Sequence, residues 1–374
     1  MRKILHLRTI RGKGGGPEKT LLSTPRHLGS EYEVQIACLR PRRDPEYNMP
    51  ERAREFGVSL IDIPETGPVD PRAVFRLAAE VRQFRPHVLH AHDYKTDVLG
   101  VLLGRWFGIP TVTTLHGFGF LSGRLGLYHR LDRWALRRMH HAIAVSPDLH
   151  EFLAELGIPD GRRSLVENGI DTEMYRRRID GGECKRRFGF GAETLLVGAV
   201  GRLQPEKAFD LLIASASKLL EQGMTFNLVI AGDGPERGRL EALIQARGHA
   251  GRIRLLGHCS ETIDLYQAID VFVLSSLREG LPNVLLEAMA LEVPVAATRV
   301  GGVPRVVRHE DDGLLFHAGD QQALTDAIAR LLCDRPLRLR LGAAGRKTIE
   351  QRYSFAQRMQ KIRDVYDLVL GAGG

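Results

Sequence analysis

Short apolar runs alternate with longer stretches in which apolar residues recur at helical spacing. In the first half the runs are KILHL, YEVQIACL, VSLIDI, HVLHA, TVTTL and HAIAVS. In the second half they are TLLVGAV, FNLVIAG, RIRLLG, VFVLSS and PVAAT. Each is short and rich in aliphatic residues, as strands buried on both faces are. The periodicity predicts helices over 71–85 and 94–107, and then over 207–222, 235–248, 282–292 and 320–333. Strand and helix in alternation predict parallel sheets covered on both faces.

Two such series fit a chain of 374 residues, too long for one ordinary core. The predicted fold is α/β, with two doubly wound Rossmann-like domains facing a central cleft. The polar, charged, glycine-containing stretch 168–190 marks the boundary. Domains of 1–170 and 171–353 follow, with an amphipathic last helix over about 354–370 expected to pack back on the first. In doubly wound sheets ligands bind beyond the carboxyl ends of the strands, so the residues just after each run carry the chemistry.

Composition narrows this picture. The chain is 43% hydrophobic and 26% charged, which is globular and not disordered. The four cysteines, Cys38, Cys184, Cys259 and Cys333, are widely spaced. They suit neither a disulfide framework nor a zinc site, and suggest a reducing cytoplasm. No apolar run approaches the roughly 20 residues of a membrane span. The net charge is +8. Residues 1–180 hold 28 basic against 22 acidic side chains, and the remainder 25 against 23. Such an excess suits anionic substrates or lipid, and no nucleic-acid motif accompanies it.

The first turn, GKGGGPEKT at 12–20, invites a phosphate reading. It fails the ATP P-loop pattern, because Glu18 precedes Lys19-Thr20 and Lys13 stands where the first glycine belongs. It also fails G-x-G-x-x-G, with Pro17 or Lys19 at the third glycine position. A glycine turn ahead of a helix N-terminus remains, and a plain strand-to-helix connection explains it equally well.

Three further stretches carry more. In SSLREGLPNVLLEAMA, Glu279 sits in a turn and Glu287 eight residues on, along a helix that Pro282 would begin at its first position. The helix start can hold a diphosphate, and the carboxylates can accept paired sugar hydroxyls; solvated surface glutamates are the plain alternative. In VGAVGRLQPEKAFDLLIAS, Arg202 and Lys207 place two cations beyond a strand end. Arginine suits bidentate phosphate binding and lysine adds a point charge. In TVTTLHGFGF, His116 follows a strand at the switch edge of the first sheet, able to bond a hydroxyl or act as acid–base. VLHAHD adds His90, His92 and Asp93. A strand puts both histidines on one side, but no third and fourth ligands are evident, so no metal site is expected.

Together, GRLQPEKAFDLLI, VIAGDGP, VFVLSSLREGLPNVLLEAMA, PVAATRVGGVP and DDGLLF resemble the retaining glycosyltransferases of family 4, with the GT-B fold. Glu279 and Glu287 match that family's glutamate–x7–glutamate motif. The resemblance runs from the glycine turn to the last helix and is strongest over 195–320. It implies transfer of a sugar from a nucleoside-diphosphate sugar to a saccharide or lipid-linked acceptor, without a metal or other cofactor, as in cell-surface polysaccharide or glycolipid synthesis. Arg202 and Lys207 would hold the diphosphate, Glu287 the ribose and Glu279 the sugar hydroxyls. The backbone at Gly280, Leu281, Pro282, Asn283 and Val284 would lie along the diphosphate and sugar. His116 would sit over the sugar ring, and Gly15 and Gly16 would form the glycine turn by the donor phosphates. Asn168-Gly169 resembles the family's hinge segment. Three departures stand out: Ala208 occupies a position that is often glycine, Arg305 one that is commonly glutamate, and the glycine turn has an extra glycine and a following Pro17.

Residues 124–139 carry five arginines by position 138 against one aspartate, with Leu125, Leu127, Leu131, Trp134 and Met139 about an apolar face. Such a helix suits weak contact with an anionic membrane surface, or an ordinary helix with Trp134 in the core. A cytoplasmic protein, peripheral on the inner face of the membrane, is expected. A sugar-nucleotide epimerase of the same fold and an inactive glycan-binding subunit are the alternatives.

Overall fold

The computed structural model describes residues 1–12, 16–67, 70–117, 126–259 and 262–371. Its strands are β1 (Arg2–Thr9), β2 (Tyr32–Pro41), β3 (Ser59–Glu65), β4 (Val88–Ala91), β5 (Thr111–Leu115), β6 (His141–Ala144) and β7 (Arg163–Leu165), followed by β8 (Leu196–Val200), β9 (Asn227–Ala231), β10 (Ile253–Gly257), β11 (Val271–Leu274), β12 (Val295–Thr298) and β13 (Leu314–Phe316). The first seven form one sheet in the order β3-β2-β1-β4-β5-β6-β7, and the other six a second in the order β10-β9-β8-β11-β12-β13. Every strand pairing is parallel.

The chain divides into two compact units, Met1–Glu167 with Ala356–Gly374, and Asn168–Phe355. In the first, α1 (Gly16–Leu28), α2 (Met49–Phe56), α3 (Pro71–Phe84), α4 (Tyr94–Phe107), α5 (Gly126–Leu136) and α6 (Pro147–Glu155) connect the strands. In the second, α7 (Gly181–Arg187), α8 (Phe209–Glu221), α9 (Arg237–Ala246), α10 (Thr262–Ala268), α11 (Asn283–Ala290), α12 (Val303–Val306), α13 (Gln321–Cys333) and α14 (Arg335–Arg352) do so. The last helix, α15 (Phe355–Gly371), returns to the first unit, where the Tyr366 hydroxyl lies 2.7 Å from His90 Nδ1.

The second sheet shows why its runs are apolar throughout. Leu196, Phe272 and Leu274 face one core, while Val197, Val271 and Val273 face another on the opposite side. Alternate side chains of one strand serve both layers. The strand order reverses between β1 and β4 in one sheet, and between β8 and β11 in the other. Such reversals open a crevice at the carboxyl edge of a doubly wound sheet.

Candidate functional site

In the second unit, the carboxyl ends of β8 and β11 flank the reversal. After β8 the chain turns through Gly201 and Arg202 into a short 3-10 turn, Pro205–Lys207. Gly232 and Gly234 let the next connection lie against this turn. A Cβ on Gly232 would come within 1.8 Å of the Gly201 carbonyl, and one on Gly234 within 2.4 Å of that of Leu203. Gly301 and Gly302, which follow β12, play the same part for the turn after β11. With φ +50°, Gly301 passes so close to Glu279 that a Cβ would meet its carbonyl at 1.8 Å, and Gly302 N–H donates to the Gly280 carbonyl at 2.8 Å. Glycine is the residue that allows such approaches.

The two turns meet through side chains. Lys207 Nζ donates to Glu279 Oε1 at 2.6 Å, and Ser276 Oγ donates to the same oxygen at 2.6 Å. Ser275 Oγ donates to the Lys207 carbonyl at 2.8 Å. Arg202 is exposed, with no side-chain partner among the described residues. Gly280 is also exposed, whereas Leu281 and Pro282 are buried. Helix α11 begins at Asn283, so Pro282 is its N-cap and not, as the sequence suggested, its first residue. The Pro282 carbonyl accepts from Leu285 N–H at 3.1 Å. The amides of Asn283 and Val284 come ahead of the helical ladder. Asn283 Oδ1 is buried with no partner among the described residues.

Glu287 lies farther along α11, buried, with one oxygen accepting from Tyr175 Oη at 2.8 Å and the other from Tyr266 Oη at 2.9 Å. Burial first, and the carboxylate second, push both phenols above their ordinary range. The sequence reading did not single out these tyrosines, since they reach α11 from distant segments.

In the first unit the histidines form one group. His6 on β1 is in register with His90 on β4. Its Nδ1 lies 2.8 Å from His92 Nε2, and His92 Nδ1 lies 3.1 Å from His116 Nε2. His116 follows β5, one strand beyond the reversal, and connects back to it through His92. His90 sits 2.8 Å from Thr114 Oγ1 and takes its other contact from Tyr366. Asp93 does not join the cluster: it caps α4 and accepts from Thr9 N–H at 2.6 Å. Burial, helped by the charge of Arg358, lowers the basicity of His6 to a pKa of about 3 and holds that of His116 well below the usual imidazole range; burial and then His6 do the same for His90. For His116 the charge of Arg8 also contributes, and His92 is lowered mainly by burial and then by His90. Arg358 on α15 is itself buried, with its pKa brought down to about 10. His6 and Arg358 escaped the sequence reading; the only signal was a histidine at an inward position of an apolar strand.

His6, His90 and His92 bring ligand nitrogens within 4.8 Å of one another. All of their ring nitrogens but His6 Nε2 engage neighbouring imidazoles, a threonine or a tyrosine, beside a buried guanidinium that would repel a dication. Gly15 lies outside the described residues, and Gly16 is the first residue of α1. In the 124–139 segment, Ala135, Leu136 and Met139 are buried and Trp134 packs beside Met139, whereas Leu131, Arg130 and Arg133 are exposed. Residues 124 and 125, and the Leu127 side chain, lie outside the described set.

Both units are doubly wound, and in the second a cation–carboxylate pair joins the two turns at the strand-order reversal. Residues 183–348 match the family described as "Glycosyl transferases group 1", and residues 14–174 match "Glycosyltransferase Family 4". The chain is 31% identical to the lipopolysaccharide core biosynthesis mannosyltransferase LpsB of Rhizobium meliloti (strain 1021), over 64% of this chain and 68% of that one. It is 27% identical to the UDP-Gal:alpha-D-GlcNAc-diphosphoundecaprenol alpha-1,3-galactosyltransferase of Escherichia coli, over 98% and 97% of the two chains. Among solved structures, Anabaena Alr3699/HepE in complex with UDP superimposes with a TM-score of 0.82 at 21% identity, covering 97% of this chain and 99% of that one. The protein belongs to the group 1, family 4 glycosyltransferases and is a glycosyltransferase of GT-B fold. Among the described residues no helix is long and apolar enough to cross a membrane.

Proposed function

We propose that the protein moves a sugar, with retention at the anomeric carbon, from a nucleoside-diphosphate sugar to a saccharide or lipid-linked acceptor, in cell-surface polysaccharide or glycolipid synthesis. The observation that carries this reading is the Lys207–Glu279 pair at the strand-order reversal, beside the open start of α11. Departure of the diphosphate develops negative charge on the oxygen that leaves the anomeric carbon. Lys207 and the first amides of α11 stabilise that charge from fixed positions, joined by the exposed Arg202, without a metal. As that bond breaks, the acceptor oxygen attacks the same face, and its proton passes to the departing phosphate oxygen. Glu279 holds sugar hydroxyls, and His116 bonds the sugar ring. Glu287, held between the Tyr175 and Tyr266 hydroxyls on α11, takes the ribose hydroxyls.

The named substrates of the E. coli relative and the UDP held by HepE favour a uridine donor and a diphospholipid-linked acceptor. Exposed Arg130 and Arg133 beside Leu131 suit weak contact with an anionic membrane on the cytoplasmic side. The test combines a thermal-shift screen of UDP-, GDP- and ADP-sugars with an assay for nucleotide release. One donor should stabilise the protein, and release should require an acceptor. Release or epimer formation without acceptor would overturn the reading in favour of an epimerase. Equal flotation with anionic and neutral vesicles would remove the membrane contact alone.

A further inference from the structure

His116, His92 and His6 form a continuous chain of ring nitrogens running inward from the carboxyl edge of the first sheet. Two separations of 2.8 and 3.1 Å link the three rings. Enclosure holds all three neutral, and a neutral imidazole carries one N–H and one lone pair. The chain therefore has only two self-consistent protonation patterns. In one, every Nδ1 carries the proton: His6 donates to His92, His92 to His116, and His116 Nδ1–H is left over. In the other, every Nε2 carries it, and His116 Nδ1 is left as a lone pair.

The inner end decides between them. His6 Nε2 is buried with no partner among the described residues. It borders a cavity of about 10 Å³, also lined by His90, His116, Thr20, Thr24 and Arg358. That volume holds about one water. No carboxylate lines the cavity, and a guanidinium does. A cation favours a lone pair facing it over an N–H, and a water there can donate to His6 Nε2. An N–H at the same place would turn its positive end toward that guanidinium, which is the costlier arrangement.

We propose that His6 and His92 are positioning residues that fix His116 as the Nδ1–H tautomer, presenting a hydrogen-bond donor to the substrate. The substrate part of this inference rests on the glycosyltransfer role given to His116 above. A donor suits the ring oxygen or a hydroxyl of the sugar, and it excludes His116 as the base that accepts the acceptor's proton.

Long-range proton–nitrogen correlation spectra of the intact, ¹⁵N-histidine-labelled protein read each tautomer directly. His6, His92 and His116 should all show Nδ1–H near neutral pH. An Nε2–H tautomer or an imidazolium at His116 would overturn the proposal, and this measurement needs no variant. His6→Leu should give mixed His116 tautomers and lower kcat about tenfold, or about 1.4 kcal/mol, with donor KM unchanged. His6→Asn, whose amide replaces the Nδ1 donor, should restore both. Equal kcat losses in the two variants would overturn the relay. If the spectra show Nδ1–H but no sugar is transferred, the tautomer assignment stands and the functional reading fails instead.

Discussion

Lys207 Nζ sits 2.6 Å from Glu279 Oε1, joining the turn after β8 to the turn after β11. Both side chains are largely enclosed, and Ser276 secures the shared oxygen. The pair holds the lysine in place before any diphosphate arrives, so little reorganisation is required when the leaving charge develops. Lys207→Ala should lower kcat by about 10²–10³, the range for removing one preorganised electrostatic group. Steady-state transfer assays check this, with circular dichroism confirming that the variant is folded. An unchanged rate would place the phosphate-binding cation elsewhere.

Glu287 makes a different kind of prediction, because its carboxylate joins Tyr175 and Tyr266 inside the second unit. Glu287→Gln keeps the volume but removes charge-assisted acceptance from at least one phenol. Stability should fall by about 1–3 kcal/mol, the cost of leaving a buried polar group unsatisfied. Donor KM should rise as well if ribose hydroxyls use the same oxygens. Urea unfolding and donor-dependent kinetics separate the two effects. A stability loss with unchanged KM would confine Glu287 to holding α11.

Much of this architecture was legible in the chain. The apolar runs named from sequence correspond to β1 to β6 and β8 to β12, because strands buried on both faces leave an unbroken aliphatic signature. The two missed strands, Arg163–Leu165 and Leu314–Phe316, are three residues each and too short for a period to show. Helix α7 was hidden in a charged, glycine-containing stretch; Asp180 starts it by accepting from Gly182 and Glu183 N–H. Arg202, Lys207 and Glu279 were found because they lie in the turns just after strands, and Glu287 by its spacing from Glu279. Their local partners, Ser275 and Ser276, sat unremarked within the same motif, and Tyr175 and Tyr266 come from remote segments. The pairing of His6 with His90 depends on β1 and β4 being neighbours, which is a property of the topology and not of local sequence.

Ala208 follows Lys207 with φ +47° and ψ +43°, the left-handed region. For an alanine this costs roughly 1–2 kcal/mol, and glycine would relieve it while adding roughly 0.4–1 kcal/mol of unfolded-chain entropy. Ala208→Gly should therefore raise stability by roughly 0.8 kcal/mol, the difference of the midpoints of those terms. The urea midpoint should rise with an unchanged slope. A lower midpoint would mean that the Ala208 methyl, which is buried, contributes more by packing than the backbone loses.

The histidine group should also make folding stability depend on acidity. The four imidazoles His6, His90, His92 and His116 all have basicity lowered in the folded protein, His6 to about 3, against about 6.5 in an unfolded chain. Below that value the unfolded chain binds protons that the folded protein refuses. Stability is therefore complete above about pH 6.5 and falls as the pH drops toward 3, the His6 value. The slope approaches about 1.4 kcal/mol per pH unit for each imidazole. His141, lowered to about 4, acts in the same direction. Asp97 opposes them, since burial raises its carboxyl above the ordinary range, so it favours the folded state as pH falls. His140 is lowered too, so one carboxyl against six imidazoles leaves a net loss on acidification. Urea midpoints measured from pH 7.5 down to pH 5 should drop steeply, and His90→Gln should flatten the curve. A midpoint independent of pH across that window would mean that the cluster takes up protons without unfolding, and would remove the basis for a neutral imidazole chain.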